Sequence, residues 1–109
     1  MSLPVAIAQR AEQDMTLQYG WYLQNAGLEV AERYLQAVDG TIHELAEHPE
    51  IGILRHFKSP ELAGIRSMTV ARPFDKHLLF YQADAELSIE RIMHGARDLP
   101  RRLLEEPGA

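Results

Sequence analysis

The sequence predicts an α+β domain: a short N-terminal strand, an antiparallel helical hairpin packed on a small antiparallel β-sheet, and a short C-terminal helix. Three observations lead there. The spacing of apolar residues changes from about 3.6 to about 2 at Pro49, so helices precede that residue and strands follow it. The two helical stretches are joined by one or two residues, which forces them to lie side by side and antiparallel. The strand-like runs that follow are separated by short turns, as in a meander. A chain of 109 residues fits a single domain, residues 1–109, with enough length to bury a core.

Val5 to Ala8 is a short apolar run with the character of a strand. Met1, Ser2 and Leu3 add nothing to the pattern and are left out of the fold. From Arg10 to Asn25, Ala11, Met15, Tyr19, Tyr22, Leu23 and Ala26 recur every three or four residues and define one helical face. Leu17 and Trp21, four apart, form a second apolar strip off that face. Gly27 ends the helix. A stronger pattern starts at Leu28: Ala31, Tyr34, Leu35, Val38, Ile42, Leu45 and Ala46 form a stripe, with Glu29, Glu32, Arg33, Gln36 and Asp39 off it. Pro49 ends this second helix, because the residue before a proline is pushed out of the helical region.

Ile51 to Ala63 resists assignment beyond a short strand at Ile53 to Phe57 and a Ser-Pro turn. Three strands follow, Ile65 to Ala71, His77 to Gln82 and Glu86 to His94. Apolar residues occupy both faces of "HLLFYQ", so the middle strand is covered on each side. In the last strand Leu87 and Ile89 alternate with Ser88 and Glu90, leaving one wet face, and the hairpin covers the dry one. In "RIMHGARDLP", Gly95 lets the chain leave the strand through a backbone angle other residues resist, and Asp98 or Leu99 before Pro100 signals a helix start. The acidic end "LLEEPGA" reads as a solvated terminus.

Composition excludes several function classes. With no cysteine there is no disulfide framework, thiolate zinc site or cysteine nucleophile. No apolar stretch approaches the ~20 residues that span a bilayer, and the N-terminus lacks signal-peptide order, so a cytoplasmic protein without membrane association is expected. A net charge of -5 argues against strong direct nucleic-acid binding, although Arg91, Arg97, Arg101 and Arg102 fall close together. His43, His48, His56, His77 and His94 show no metal-ligand spacing. His43 and His48 sit about 140° apart around their helix, so no metal and no cofactor are expected.

Five segments in order, "AEQDM…YGWYL", "AERYLQAVDGTIHELAEHPEIG", "LAGIRSMTV", "HLLFYQ" and "IERIMHGARDLP", resemble the ParE branch of the RelE/ParE toxin superfamily over about residues 4 to 100. The resemblance implies a bacterial toxin of a type II toxin-antitoxin pair, used in plasmid stabilization and neutralised by a ParD-like antitoxin whose tail wraps over it. ParE-like members are described as inhibiting DNA gyrase. RelE-like relatives cut messenger RNA on the ribosome, which makes an endoribonuclease the alternative; a non-toxic decayed relative that only binds is a third reading. A homodimer and a toxin-antitoxin heterotetramer both stay open.

RNA cleavage needs a tuned acid or base and several cations for the phosphate. Here the candidates are His94 with Arg66 and Arg91. Lysines are few, and no tyrosine follows Tyr81, so a gyrase-directed binder is the favoured reading. Arg66 shares a strand face with Met68 and Val70, either as a partly buried arginine paired with a carboxylate or as a functional group. By the same parity Arg91 shares a face with Leu87 and Ile89, unless a bulge precedes Ile92. The candidate partner-binding residues are Arg66, Arg91, His94, Arg97, Leu17 and Trp21, with Arg97 suited to a carboxylate of the antitoxin or target. Leu17 and Trp21 qualify if they are exposed; otherwise they belong to the core.

Overall fold

The structure is a computed structural model and describes residues 2–95 and 99–108. Strand β1 (Val5–Ile7) leads into helices α1 (Gln9–Asn25) and α2 (Leu28–Glu47). Strands β2 (Ile53–Leu54), β3 (Arg66–Thr69), β4 (His77–Ala83) and β5 (Leu87–His94) follow, with a single 3-10 turn at Pro60–Leu62 between β2 and β3. A short helix, α3 (Leu99–Leu104), follows them. The sheet order is β1-β5-β4-β3-β2.

The expected sheet is corrected in one respect: it is mixed, since β1 pairs parallel with β5. Topology explains this. The Leu3 N–H donates to the Ala46 carbonyl, so α2 returns the chain to the end where it began. Three alternating strands then leave the third running the same way as β1. Leu3 is therefore part of the fold, and it also packs on the core.

The hairpin covers one face of the sheet. Tyr34, Val38 and Leu45 of α2 and Ala11 of α1 meet Leu79, Tyr81, Leu87 and Ile89, all nearly or fully buried. Thr41 ties α2 to the β3–β4 turn, accepting from the Ala71 N–H while donating to the Ala37 carbonyl. Leu23, Ala26 and Leu35, expected on the buried stripes, are exposed instead; Leu23 and Ala26 belong to the hairpin tip, where residues 23–29 are exposed throughout. On the opposite face Phe80 and Met93 pack with Leu62, Ile65, Leu99 and Leu103. The middle strand β4 thus has both its faces buried, Leu79 and Tyr81 on one and Phe80 on the other, as its two-sided apolar sequence requires. Gly95, with φ 81°, turns the chain out of β5 in the left-handed region that side chains with a Cβ resist.

Candidate functional site: a groove between the first helix and the last strand

Helix α1 buries Ala11 and packs the partly buried Met15 and Tyr22 on the core, so residues offset from that line face outward. Leu17 and Trp21 are 54% and 56% exposed. Beside them runs a groove of about 490 Å³, lined by Leu17, Trp21 and Tyr22 of α1, by Ile92 and His94 of β5, and by Arg102 of α3. The Trp21 ring stands edge-on to Tyr22, centroids 5.5 Å apart, which holds the indole against the groove wall.

The groove's inner end is closed by a buried ion pair. β5 carries a bulge: Tyr81 pairs with Ile89 and Phe80 with Arg91, leaving Glu90 without an opposite residue. The extra residue reverses the alternation, so Arg91 leaves the face of Leu87 and Ile89. Its guanidinium, 4% exposed, donates through Nε and Nη2 to the Asp14 carboxylate at 2.8 and 3.1 Å. Through Nη1 it donates to the carbonyls of Arg102, Leu103 and Glu105 at the end of α3. Such carbonyls lack helical partners, and an arginine is well matched to them. Asp14 also accepts the Ile92 N–H at 3.0 Å.

At the outer end, His77 and His94 are cross-strand partners with ring centroids 4.9 Å apart. His94 is exposed and His77 is buried. The His77 Nε2 shares a 2.8 Å hydrogen bond with the Tyr22 hydroxyl, and Tyr34 and Phe74 complete its aromatic surroundings. Burial, then the neighbouring His94, pushes the His77 pKa down to about 4, so the ring is neutral near pH 7. Burial raises the Tyr22 phenol, and burial followed by the Asp14 charge raises Tyr34.

Arg66 lies elsewhere. It pairs with Tyr81, four residues from His77 along β4 and so roughly 13 Å along the strand direction from the His94 pair. Its Nη1 donates to the carbonyls of Glu50 and Gly52, at 3.3 and 2.9 Å. The expected carboxylate partner is replaced by backbone oxygens of the segment after α2. The Tyr81 hydroxyl donates to the Pro49 carbonyl and accepts from the Gly52 N–H, at 2.8 and 2.9 Å. A Cβ at Gly52 would lie 2.7 Å from Cε1 of the Tyr81 ring. Pro49, Gly52, Arg66 and Tyr81, drawn from three of the quoted segments, therefore form one clamp that fixes the approach to β2.

Of the sequence candidates, the fold gathers Leu17, Trp21, Arg91 and His94 around one groove and sets Arg66 apart from it. Arg97 lies outside the described residues. Sequence reasoning missed Asp14, whose signal is recognisable only once α1 is laid along the β5 edge. It also missed Arg10, which donates to the Leu104 carbonyl and pairs with Glu106 at 2.8 Å. The acidic end is thus held on α1 from Leu104 to Glu106, rather than solvated throughout. Among the described residues, no group of three or more His, Asp or Glu is placed to hold a metal ion.

Two solved structures share this architecture. A chromosomal ParDE toxin-antitoxin system from P. aeruginosa matches with a TM-score of 0.70 and 21% identity, over 87% of this chain and 98% of that one. The toxin-antitoxin complex RelBE2 from Mycobacterium tuberculosis matches with a TM-score of 0.57 and 19% identity, over 86% and 99%. At these identities the likeness concerns the fold. Among curated protein sequences none matches. The family model of the ParE toxin of the type II toxin-antitoxin system parDE matches residues 5–99, nearly all of the secondary structure, and the chain belongs to that family.

Proposed function

We propose that this ParE-family protein is the toxin of a type II pair, that a ParD-like antitoxin neutralises it, and that its target is DNA gyrase. The observation that favours a binder over a ribosome-dependent nuclease is the dispersal of the charged candidates. Arg91 has its guanidinium filled by Asp14 and three carbonyls, and Arg66 is bonded to two carbonyls at the far end of β4 from His94. Such cleavage needs cations converging on the phosphate beside the acid or base, and neither Arg66 nor Arg91 has its guanidinium directed to the exposed His94. In this reading Leu17, Trp21 and His94 carry partner recognition, while Arg66 and Arg91 hold the elements that present them. Arg97 is proposed as a further partner contact on the strength of its sequence position alone.

The test is induced expression with and without the neighbouring antitoxin gene, combined with purified gyrase. Arrested growth relieved by the antitoxin, with supercoiling inhibited in vitro, is the expected result. Intact supercoiling together with cut ribosome-bound message would assign the nuclease activity instead. Unimpaired growth with folded protein in the cell would make the protein a binding module only.

A further inference from the structure

The sheet edge remote from the groove is β2, three places from β5 in the strand order. Ile51, Ile53 and Leu54, on or beside it, are exposed, and Ile53 at 66% is the most exposed large apolar residue of the described chain. The backbone of this edge has a definite orientation. The Arg55 N–H donates to the Ile65 carbonyl at 2.9 Å, so that pair is a hydrogen-bonded one and the preceding pair, Leu54 with Arg66, is not. The other side of β3 agrees: the Val70 N–H donates to His77, a phase that turns the backbone groups of Arg66 toward β4. The N–H and carbonyl of Leu54 therefore point out of the sheet, and neither has a partner among the described residues. Two apolar residues with no proline and no charge between them leave such an edge open to pairing.

What it pairs with follows from the order of charges along it. Between residues 47 and 58 the carboxylates, Glu47 and Glu50, come first, the apolar run comes next, and the cations, Arg55 and Lys58, come last. Among the described residues none of these four forms an ion pair within the chain, in contrast to Arg91, Arg10 and Arg101. A strand that runs from negative to positive is complementary to its own copy running the opposite way. Antiparallel pairing of two identical strands is what a two-fold axis produces.

We propose that β2 joins two copies of this chain, paired antiparallel about a two-fold axis at Leu54. The two Leu54 residues exchange both N–H and carbonyl bonds across the axis and set their side chains together on one face. On the other face Ile53 of each copy lies opposite Arg55 of the second. The Arg55 Nε is held by the Ser67 Oγ at 2.8 Å and its head lies 6.0 Å from the Phe80 ring centre, so its alkyl stem lies along the sheet and is placed to cover Ile53. Glu50 of each copy comes to Lys58 of the other. The ladder is short, because Gly52 has already given its N–H to Tyr81 and its carbonyl to Arg66. The dimer is therefore a small and reversible one. Each copy keeps its groove on the far side of the sheet. The inference stands apart from the toxin reading, whose success or failure leaves it unchanged.

Sedimentation velocity on the purified chain, over a range of concentration up to about 1 mM, tests it. The expected result is a mass that rises reversibly from one chain toward two. Glu50→Lys and Lys58→Glu each place like charges opposite one another twice, and each is expected to weaken the dimer by about fivefold or more. The two changes combined exchange the signs and are expected to restore it to within about twofold of the original. Leu54→Pro removes the outward N–H at a position where an edge strand tolerates proline, and is expected to leave single chains. Val5→Lys, on the opposite edge at β1, is expected to change nothing. Each variant is first shown to keep its melting transition; should Leu54→Pro lose it, the charge reversals, made on exposed side chains, decide the matter alone. A protein that stays a single chain throughout overturns the proposal. So does a dimer indifferent to both single reversals, one that the combined reversal fails to restore, or one that Val5→Lys dissociates.

Discussion

Asp14 does at the edge of β5 what the carbonyl of a neighbouring strand would do, and it also neutralises the arginine next to it. Removing it leaves a buried guanidinium with carbonyls alone. Asp14→Ala is expected to lower unfolding free energy by ~3–5 kcal/mol in denaturant titrations, since breaking one side of a buried pair strands the other charge. His77 makes the pH dependence explicit. Its pKa falls from 6.5 to about 4 on folding, so between those values the unfolded chain binds more protons than the native one. Stability is therefore full above about pH 6.5 and declines as pH falls toward 4, by about 3 kcal/mol from this group. The checks are an NMR titration in which the buried ring stays neutral at pH 6, and a flattening of that part of the stability profile in His77→Gln. At Gly52 the added methyl of Ala meets a ring held by two hydrogen bonds, and thermal denaturation is expected to register a loss of roughly 1–3 kcal/mol. None of these residues announces its partner in the sequence. Asp14 and Arg91 are 77 positions apart, and Gly52 and Tyr81 are 29 apart.

Elements were legible where burial imposes a period. Helix α2 buries seven residues at helical spacing, and its ends follow Gly27 and precede Pro49, as the composition there requires. The two-sided apolar run of β4 likewise declared its central place. Legibility failed where an element is too short to show a period, as with β2 at two residues, or where one residue changes the register. The bulge at Glu90 moved Arg91 off the face that simple alternation assigns to it, and no composition signal marks that insertion. Helix α3 sits at the same limit. Six residues cannot sustain a helix alone, so its stability derives from Leu99 and Leu103 on Phe80 and Met93, and from Arg91 at its end. Leu103→Ala should therefore loosen α3 locally. Amide exchange of residues 99–104 is expected to accelerate while that of β4 stays slow; acceleration in both would mean that α3 belongs to the main cooperative unit.

At the scale of the whole molecule, charge and topology bear on what the protein contacts directly. Sixteen acidic residues outnumber eleven Lys and Arg, and the arginines near the groove are largely engaged within the chain: Arg91 with Asp14, Arg10 with Glu106, and Arg101 with Glu105 at 2.6 Å. A phosphate backbone is gripped by cations that displace its counterions, and cations already paired with carboxylates displace fewer. Among the described residues, the sheet packs on one face against the hairpin and on the other against α3. If the target is gyrase, the contact with DNA belongs to gyrase and this protein reaches the complex through protein surface. Binding to a short DNA duplex at physiological salt is accordingly expected to be weaker than a Kd of about 10⁻⁴ M, with little dependence on added salt. A fluorescence-anisotropy titration decides it. Micromolar affinity falling steeply with salt would show enough uncommitted cations to bind DNA directly, and the apolar strip of Leu17 and Trp21 would then have to be weighed against a nucleic-acid surface.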